Sequence, residues 1–455
     1  MKSTRRPQRI DERFVRRIAL ATLAGTSIEW YDFFLYGTAA ALIFPTVFFP
    51  ADMPAAIAQL ASFSTFAVGF VARPLGGIVF GHFGDRIGRK KALVIALIMM
   101  GFATTLIGCL PSYASAGAAA PVLLIVLRFV QGIAIGGQWG GAVLIATESA
   151  PPARRGFYGS FAQVGAPAGV ILANLAFLLV TANTSQQAFM HWGWRLPFLF
   201  SITLIAVALF VQLSLEDTAA FLKRRQIGQD LESQFEAHAG KSERRRSPVL
   251  EALCTHPKQI ALVAGASLAV LVPFYILITF VIAYGTGAMG PHVSRSTMLA
   301  GVLVGAVVMV PSLLIAAAWS DRYGRRGIYM AGAALLAVWS FAVFPLLDTG
   351  SFLWICAGIG VGQVFVAMMY GPHAALVSEM FSTDVRYSGA SLGYQLGAIF
   401  GGAFAPIIAT ALLAEYHSTL GISIYMAIAC AITIVSIWLL QETAGSNMEK
   451  HVIAG

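Results

Sequence analysis

The sequence predicts an all-α membrane protein of twelve spanning helices in two related halves, and three observations predict it. The first is composition. Of 455 residues, 58% are hydrophobic and 11% charged, and the mean hydropathy of +0.75 is far from that of a water-soluble chain. The second is the succession of apolar runs of roughly 20 residues, the length at which a helix crosses a bilayer. The third is a duplicated loop. Gly81-His-Phe-Gly-Asp85-Arg86-Ile-Gly-Arg89-Lys90-Lys91 lies between two apolar runs, and Ala317-Ala-Trp-Ser-Asp321-Arg322-Tyr-Gly-Arg325-Arg326 lies between two others. The shared order of Asp-Arg, Gly and a basic pair points to a doubled ancestor. A second echo agrees: Glu148 is followed by Arg155, and Glu379 by Arg386, at the same spacing.

In order, the spans fall at 18–42, 57–80, 92–110, 121–146, 157–181 and 194–215 in the first half. In the second half they fall at 259–284, 297–319, 328–347, 352–377, 388–413 and 421–440. The chain thus divides into an N-terminal arm at 1–17, a helical half at 18–215, a polar linker at 216–257, a second helical half at 258–440 and a tail at 441–455. An even number of spans puts both termini on one side. The positive-inside rule makes that side the cytoplasm, because of the 30 Lys and Arg only Arg195 and Arg295 fall outside and only Arg73 and Arg128 within spans. Such dispersal over short loops excludes the clustered basic face that nucleic acid requires. The start is basic and then apolar like a signal peptide, but the apolar run is too long and carries Glu29 and Asp32, so it reads as an uncleaved first helix. Cys109, Cys254, Cys356 and Cys430 have no ligand spacing, so neither a metal site nor a disulfide framework is implied.

Ionisable groups inside spans cost roughly 3 kcal/mol or more at the bilayer centre and therefore face a cavity or a partner. Glu29, Asp32 and Tyr36 on the first span are three and four residues apart, which places them on one helical face. Two such carboxylates do not both ionise easily in low dielectric, so at least one is expected to bind a proton near neutral pH. The structural alternative pairs them with Arg73 and Arg128. Arg128 sits deep in the fourth span, with a fork geometry suited to carboxylates; Arg73 is nearer the cytoplasmic end of the second span, within reach of the interface. The glycines from Gly132 to Gly141 suit close helix packing. Further polar candidates for solute contact are Gln131, Gln138, Trp139, Gln163 and Asn174 in the first half. In the second half they are Tyr275, Gln363, Tyr370, Tyr394 and Gln395, although tyrosines in apolar spans also serve packing and interfacial belts. Charge is thus concentrated in the first half, where proton coupling is expected.

The duplicated loop is similar to the signature of the major facilitator superfamily of transporters. Glu29-Trp-Tyr-Asp-Phe-Phe-Leu-Tyr-Gly37, Ala72-Arg-Pro-Leu-Gly-Gly77, Gly137-Gln-Trp-Gly-Gly141, Trp192-Gly-Trp-Arg-Leu-Pro-Phe198 and Val385-Arg-Tyr-Ser-Gly-Ala-Ser391 resemble its metabolite:proton symporter family. That resemblance implies two pseudo-symmetric six-helix bundles. It implies proton-coupled uptake of a small organic acid, such as shikimate or a di- or tricarboxylate, by alternating access in a bacterial inner membrane. It implies a functional monomer in the lipid bilayer, with a small-molecule solute and protons as partners and no cofactor, nucleic acid or enzyme activity. The alternatives are a proton-coupled proline or betaine symporter, whose branch often adds a C-terminal coiled coil that the short tail does not form, and a transporter-like nutrient receptor. The resemblance also implies a cytoplasmic lock. Asp85 is expected at the start of the eleventh helix beside Arg386, with Arg86 or Arg89 at Glu148; Asp321 is expected toward Arg154, Arg155 and the start of the fifth helix, with Arg322 or Arg325 at Glu379. One departure stands out: the family's fourth span commonly has Glu where this chain has Gln138, which cannot carry a proton.

Overall fold

The computed structural model describes residues 12–87, 89–136, 147, 150–216, 254–287, 289–381 and 386–442. The side chains of 12–19, 21, 81–93, 152, 208, 210–216 and 386–388 also lie outside that description. Twelve helices follow one another: α1 (Glu12–Leu42), α2 (Ala55–Val71 and Arg73–Ile87), α3 (Arg89–Cys109), α4 (Ala119–Gly136), α5 (Arg155–Asn183) and α6 (Arg195–Glu216), then α7 (Pro257–Tyr275, Ile276–Phe280 and Val281–Thr286), α8 (Arg295–Tyr323), α9 (Arg325–Asp348), α10 (Phe352–Glu379), α11 (Arg386–Gly397, Ala398–Ala403 and Ala405–Tyr416) and α12 (Leu420–Leu439). Among the described residues, nine helices are long and apolar enough to cross a membrane. Large apolar side chains such as Phe102, Ile202, Val338 and Trp438 are more than half exposed on the outside. This is the surface that lipid covers, so the protein is a multi-pass membrane protein.

The helices follow one another in the expected order, and several extend further at one end than the expected spans. α1 begins at Glu12, α2 runs to Ile87, α3 begins at Arg89 and α8 runs to Tyr323, so the described parts of the repeated segments are helical rather than open loops. Beyond the bilayer a helix no longer needs apolar side chains, and hydropathy therefore marks the membrane boundary and not the helix end. Between α8 and α9 the break is Gly324, with φ +95°. A side chain there would be strained, and it would also meet the Glu442 carboxylate, which accepts the backbone N–H groups of Arg325 at 2.9 Å and Arg326 at 3.1 Å. α7 and α11 each contain a π-helical turn, at Ile276–Phe280 and Ala398–Ala403.

α1–α6 pack among themselves, as do α7–α12, and the two sets meet where α5 lies along α8 and α10, α2 along α11, and α1 along the C-terminal part of α7. At one end Asp321 crosses this junction. Its Oδ1 and Oδ2 accept the backbone N–H groups of Gly156 and Phe157, each at 2.8 Å, at the start of α5. Arg325 is buried behind it. It donates to both oxygens of Glu379 at 3.0 Å, to Asp321 at 2.8 Å and to Ser320 at 2.9 Å. Of the two expected arginines it is Arg325 that holds Glu379; Arg322 is exposed and lies over the Tyr323 ring. Asp321 meets the helix start itself, and Arg154 is exposed. The expected contacts of Asp85, Arg86, Arg89, Glu148 and Arg386 lie outside the described side chains. Because Asp321 is the group that spans the junction here, Asp321→Ala should loosen it. The measurement is alkylation of a cysteine placed at Ala374, which faces Gly159 across the seam. Faster alkylation with unchanged folding is expected, and an unchanged rate would show that apolar packing alone closes this end.

Candidate functional site

The site begins with a close crossing of α2 and α4. A methyl group on Gly136 would overlap the Arg73 carbonyl oxygen, one on Gly132 the Gly69 carbonyl, and one on Gly76 the Ile133 carbonyl. Backbones this close leave little room for side chains at the crossing itself. The two arginines flanking it, Arg73 and Arg128, are therefore turned inward, at 2% and 0% exposure. Arg73 does not reach toward the interface, as its place near the helix end suggested; it is enclosed by rings. Its guanidinium carbon lies 4.5 Å from the centre of Phe33, 4.4 Å from Phe70 and 5.7 Å from Trp30. That of Arg128 lies 4.4 Å from Phe33, 4.2 Å from Tyr36 and 4.8 Å from Phe66. Phe33 thus contacts both cations.

Neither arginine has an ion pair among the described residues. Arg128 Nη1 donates to Gln131 Oε1 at 3.0 Å and Nε to the Phe66 carbonyl at 3.5 Å, while its Nη2 and the Nε and Nη2 of Arg73 are buried without a hydrogen bond. Cation–π contacts contribute about 0.5 to 2 kcal/mol each. Removing an ion from water costs several kcal/mol even after relaxation, so the aromatic lining leaves the pair short of negative charge.

The first-span carboxylates do not supply it, so the structural alternative of pairing them with Arg73 and Arg128 is not what forms. Residues three apart on a helix diverge by about 60°, and that is enough to separate Glu29 from Asp32. Glu29 lines a small cavity with Thr26, Trp30, Phe33 and Ile135. Asp32, 1% exposed, points between α3 and α6 toward Thr104 and Ser201 and makes no hydrogen bond of regular geometry. Tyr36 turns toward α2 and donates to Thr65 Oγ1 at 2.7 Å. The shared face is real as a sector of the helix, but it serves three destinations. Gln131 Nε2 donates to Thr104 Oγ1 at 2.6 Å, which links α4 to α3 directly beside Asp32. Thr104 gave no signal in the sequence, because a threonine in an apolar span is ordinary.

The second half closes the other side. Tyr275, Tyr370 and Tyr394 are buried and lie within the electrostatic reach of Arg73. Tyr275 packs on Phe70 at 5.2 Å and Phe33 at 6.2 Å. Behind these tyrosines sits His373, fully buried, with Nδ1 3.0 Å from the Tyr329 hydroxyl and its ring 5.8 Å from Tyr394 and 6.3 Å from Tyr370. The polar supply of the second half is therefore richer than expected. The signal for His373 was available, since it is an ionisable residue inside a span. Gln163 and Gln363 are buried with both amide atoms unpartnered, and Asn174 and Gln395 each keep an unpartnered buried oxygen. None of these side chains hydrogen-bonds to either arginine. Gln138 and Trp139 lie outside the described residues.

Two glycines separate the packing function from the site. In Gly69→Ala the new methyl would lie 2.5 Å from Arg128 Nε, a side chain that can move; in Gly136→Ala it meets fixed backbone. Gly136→Ala should destabilise the purified protein by about 1 to 3 kcal/mol, the cost of overpacking, and so lower its Tm, and Gly69→Ala should lower the Tm less while weakening solute binding. Equal Tm losses would mean that Arg128 is as rigidly placed as the backbone.

The family described as sugar (and other) transporter matches residues 18–452. The shikimate transporter of Escherichia coli is 40% identical over 437 residues, 94% of this chain and 95% of that protein. The inner membrane metabolite transport protein YhjE of the same organism is 40% identical over 439 residues, 95% of each. The proline/betaine transporter of Escherichia coli is 30% identical, over 97% of this chain and 86% of its own length. Among solved structures, the partially occluded inward-open xylose transporter XylE of Escherichia coli superposes with a TM-score of 0.71 over 96% of this chain and 100% of XylE. At 18% identity that likeness concerns the fold. Repeated loops, twelve helices, two bundles and relatives along nearly the whole length converge: the chain belongs to the sugar (and other) transporter family of the major facilitator superfamily, and it is a membrane transporter of small-molecule solutes, not an enzyme.

Proposed function

We propose that the protein takes up a small organic acid together with protons, and that the acid's carboxylate binds the Arg73–Arg128 pair. The observation that carries this reading is the pair itself: two permanent cations, buried around one phenylalanine, with unused N–H donors and no carboxylate partner among the described residues. An anion with two oxygens fits the forked donors of a guanidinium. A zwitterion such as proline or betaine offers a carboxylate as well, but it brings its own cation next to two others. That disfavours it relative to a plain acid, and one relative, the shikimate transporter at 40% identity, has a carboxylate solute in its name.

In this reading the solute enters between the two helix sets, and Arg73 receives it first, because Arg73 acts on Tyr275, Tyr370 and Tyr394 on the opposite side whereas Arg128 acts on Tyr275. The tyrosine hydroxyls supply shape and hydrogen bonding. Asp32 and Glu29 carry the protons, and opening alternates as the Asp321 contact forms and breaks. Both termini are cytoplasmic, the membrane is a bacterial inner membrane, and the working unit is a monomer. No cofactor is required beyond the coupling proton.

Uptake of shikimate into proteoliposomes with an imposed pH gradient tests the reading. Arg73→Lys and Arg128→Lys keep the charge and lose the fork, so each should weaken solute binding by about ten- to a hundredfold, the value of one or two charge-assisted hydrogen bonds, without loss of expression. Asp32→Asn should abolish gradient-driven accumulation and spare counterflow exchange. Undiminished accumulation by Asp32→Asn would remove that residue from coupling, and normal affinity in both lysine variants would remove the arginine anchor.

A further inference from the structure

The hydroxyl of Thr104 stands at a junction that the transport reading has not used. It is fully buried on α3. Its Oγ1 donates to the Met100 carbonyl at 2.9 Å and accepts from Gln131 Nε2 at 2.6 Å, and Gln131 Oε1 in turn accepts from Arg128 Nη1 at 3.0 Å. Asp32 faces the same hydroxyl. Asp32 acts electrostatically on Glu29 and Tyr31 of its own helix; Ser201 from α6 and Thr104 from α3 are its polar neighbours, and Arg128 on α4 lies beyond Gln131.

A threonine hydroxyl has one proton and two lone pairs. Here the proton is committed to Met100 and one lone pair to Gln131, so only a lone pair remains for Asp32. A protonated Asp32 can donate to it, and an ionised one cannot. To meet an ionised Asp32 the hydroxyl must rotate its proton away from Met100. That rotation re-aims the lone pair holding Gln131 Nε2, and the planar amide transmits the change to Oε1, where Arg128 is held. With its proton on Met100 the hydroxyl suits a protonated Asp32, and with its proton turned toward Asp32 it suits an ionised one.

We propose that Thr104 is a positioning residue for solute binding: it converts the protonation state of Asp32 into the aim of the Arg128 guanidinium through Gln131. The inference rests on the reading of Asp32 as a proton carrier and of Arg128 as an anion ligand. It explains how two sites without direct contact can be coupled, since a ligand and a proton that bias the same two-state element change each other's affinity equally.

The test is shikimate affinity of purified protein at acid and at alkaline pH in the wild type, Thr104→Val, Thr104→Ser, Ser201→Ala and Asp32→Asn. In the wild type the affinity should change about tenfold between the two conditions, a typical coupling, and in Asp32→Asn only the small part owed to Glu29 should remain. Thr104→Val, which keeps the shape and loses the hydroxyl, should be as flat as Asp32→Asn. Thr104→Ser should restore the wild-type response, and Ser201→Ala, which removes a hydroxyl not joined to Gln131, should leave it intact. If Thr104→Val fails to fold, Gln131→Met breaks the same chain one link on and should be flat in its place. A wild-type response in Thr104→Val or in Gln131→Met, or a flat response in Ser201→Ala, overturns the relay. An Asp32→Asn variant that keeps the full pH response overturns instead the assignment of Asp32 and, with it, the relay.

Discussion

Two guanidinium groups buried side by side, with no counter-ion among the described residues, are the constraint on which the rest of this structure depends. They can be held there only because glycines let α2 and α4 touch backbone to backbone, which fixes the stems of Arg73 and Arg128 and leaves their heads nowhere to go but inward. They can be tolerated there because Phe33, Phe66, Phe70, Trp30 and Tyr36 present ring faces to them. Those contacts offset part of the desolvation and none of the mutual repulsion. In the proposed function a solute carboxylate completes this site, and a site that is unfinished without its ligand gains affinity and specificity from the same deficit.

Closure of the transporter at one end has a different physical character. The ion pair of Arg325 with Glu379 is buried and doubly hydrogen-bonded, but both residues belong to the same set of helices. It need not break when the halves separate. The contact that does cross is Asp321 on the start of α5, two hydrogen bonds to backbone N–H groups at the positive end of a helix. Charge at a helix terminus contributes about 0.3 to 1 kcal/mol, up to about 2 in partly buried geometry. That scale suits a switch, because two states a few kcal/mol apart remain interconvertible. Arg325 contributes indirectly by holding the Asp321 carboxylate in place at 2.8 Å.

Much of this was legible in the chain. Hydropathy gave the order and rough limits of the spans, the repeated Asp-Arg segment gave the two halves, and the rarity of charge inside spans singled out Glu29, Asp32, Arg73 and Arg128. What spacing along one helix cannot give is which neighbour a side chain meets. Glu29 and Asp32 share a sector of α1, yet they diverge to a cavity and to the α3–α6 groove. Arg73 read as a residue near the interface because its depth was judged along the helix axis, and the inward turn imposed by the α2–α4 crossing is a property of two helices together. Thr104 and Gln131 acquire meaning only as partners. His373 is the instructive omission: it is titratable and inside a span, and attention to charged residues alone passed over it.

The account stands on the claim that the arginine pair recognises a carboxylate, and calorimetric titration of the purified wild-type protein with shikimate and with its neutral methyl ester tests that claim most directly. The two ligands share ring and hydroxyls and differ in the group that the guanidiniums would hold. The account predicts binding of the acid and binding of the ester weaker by about ten- to a hundredfold, the loss of one or two charge-assisted hydrogen bonds. Equal affinity for acid and ester would contradict it.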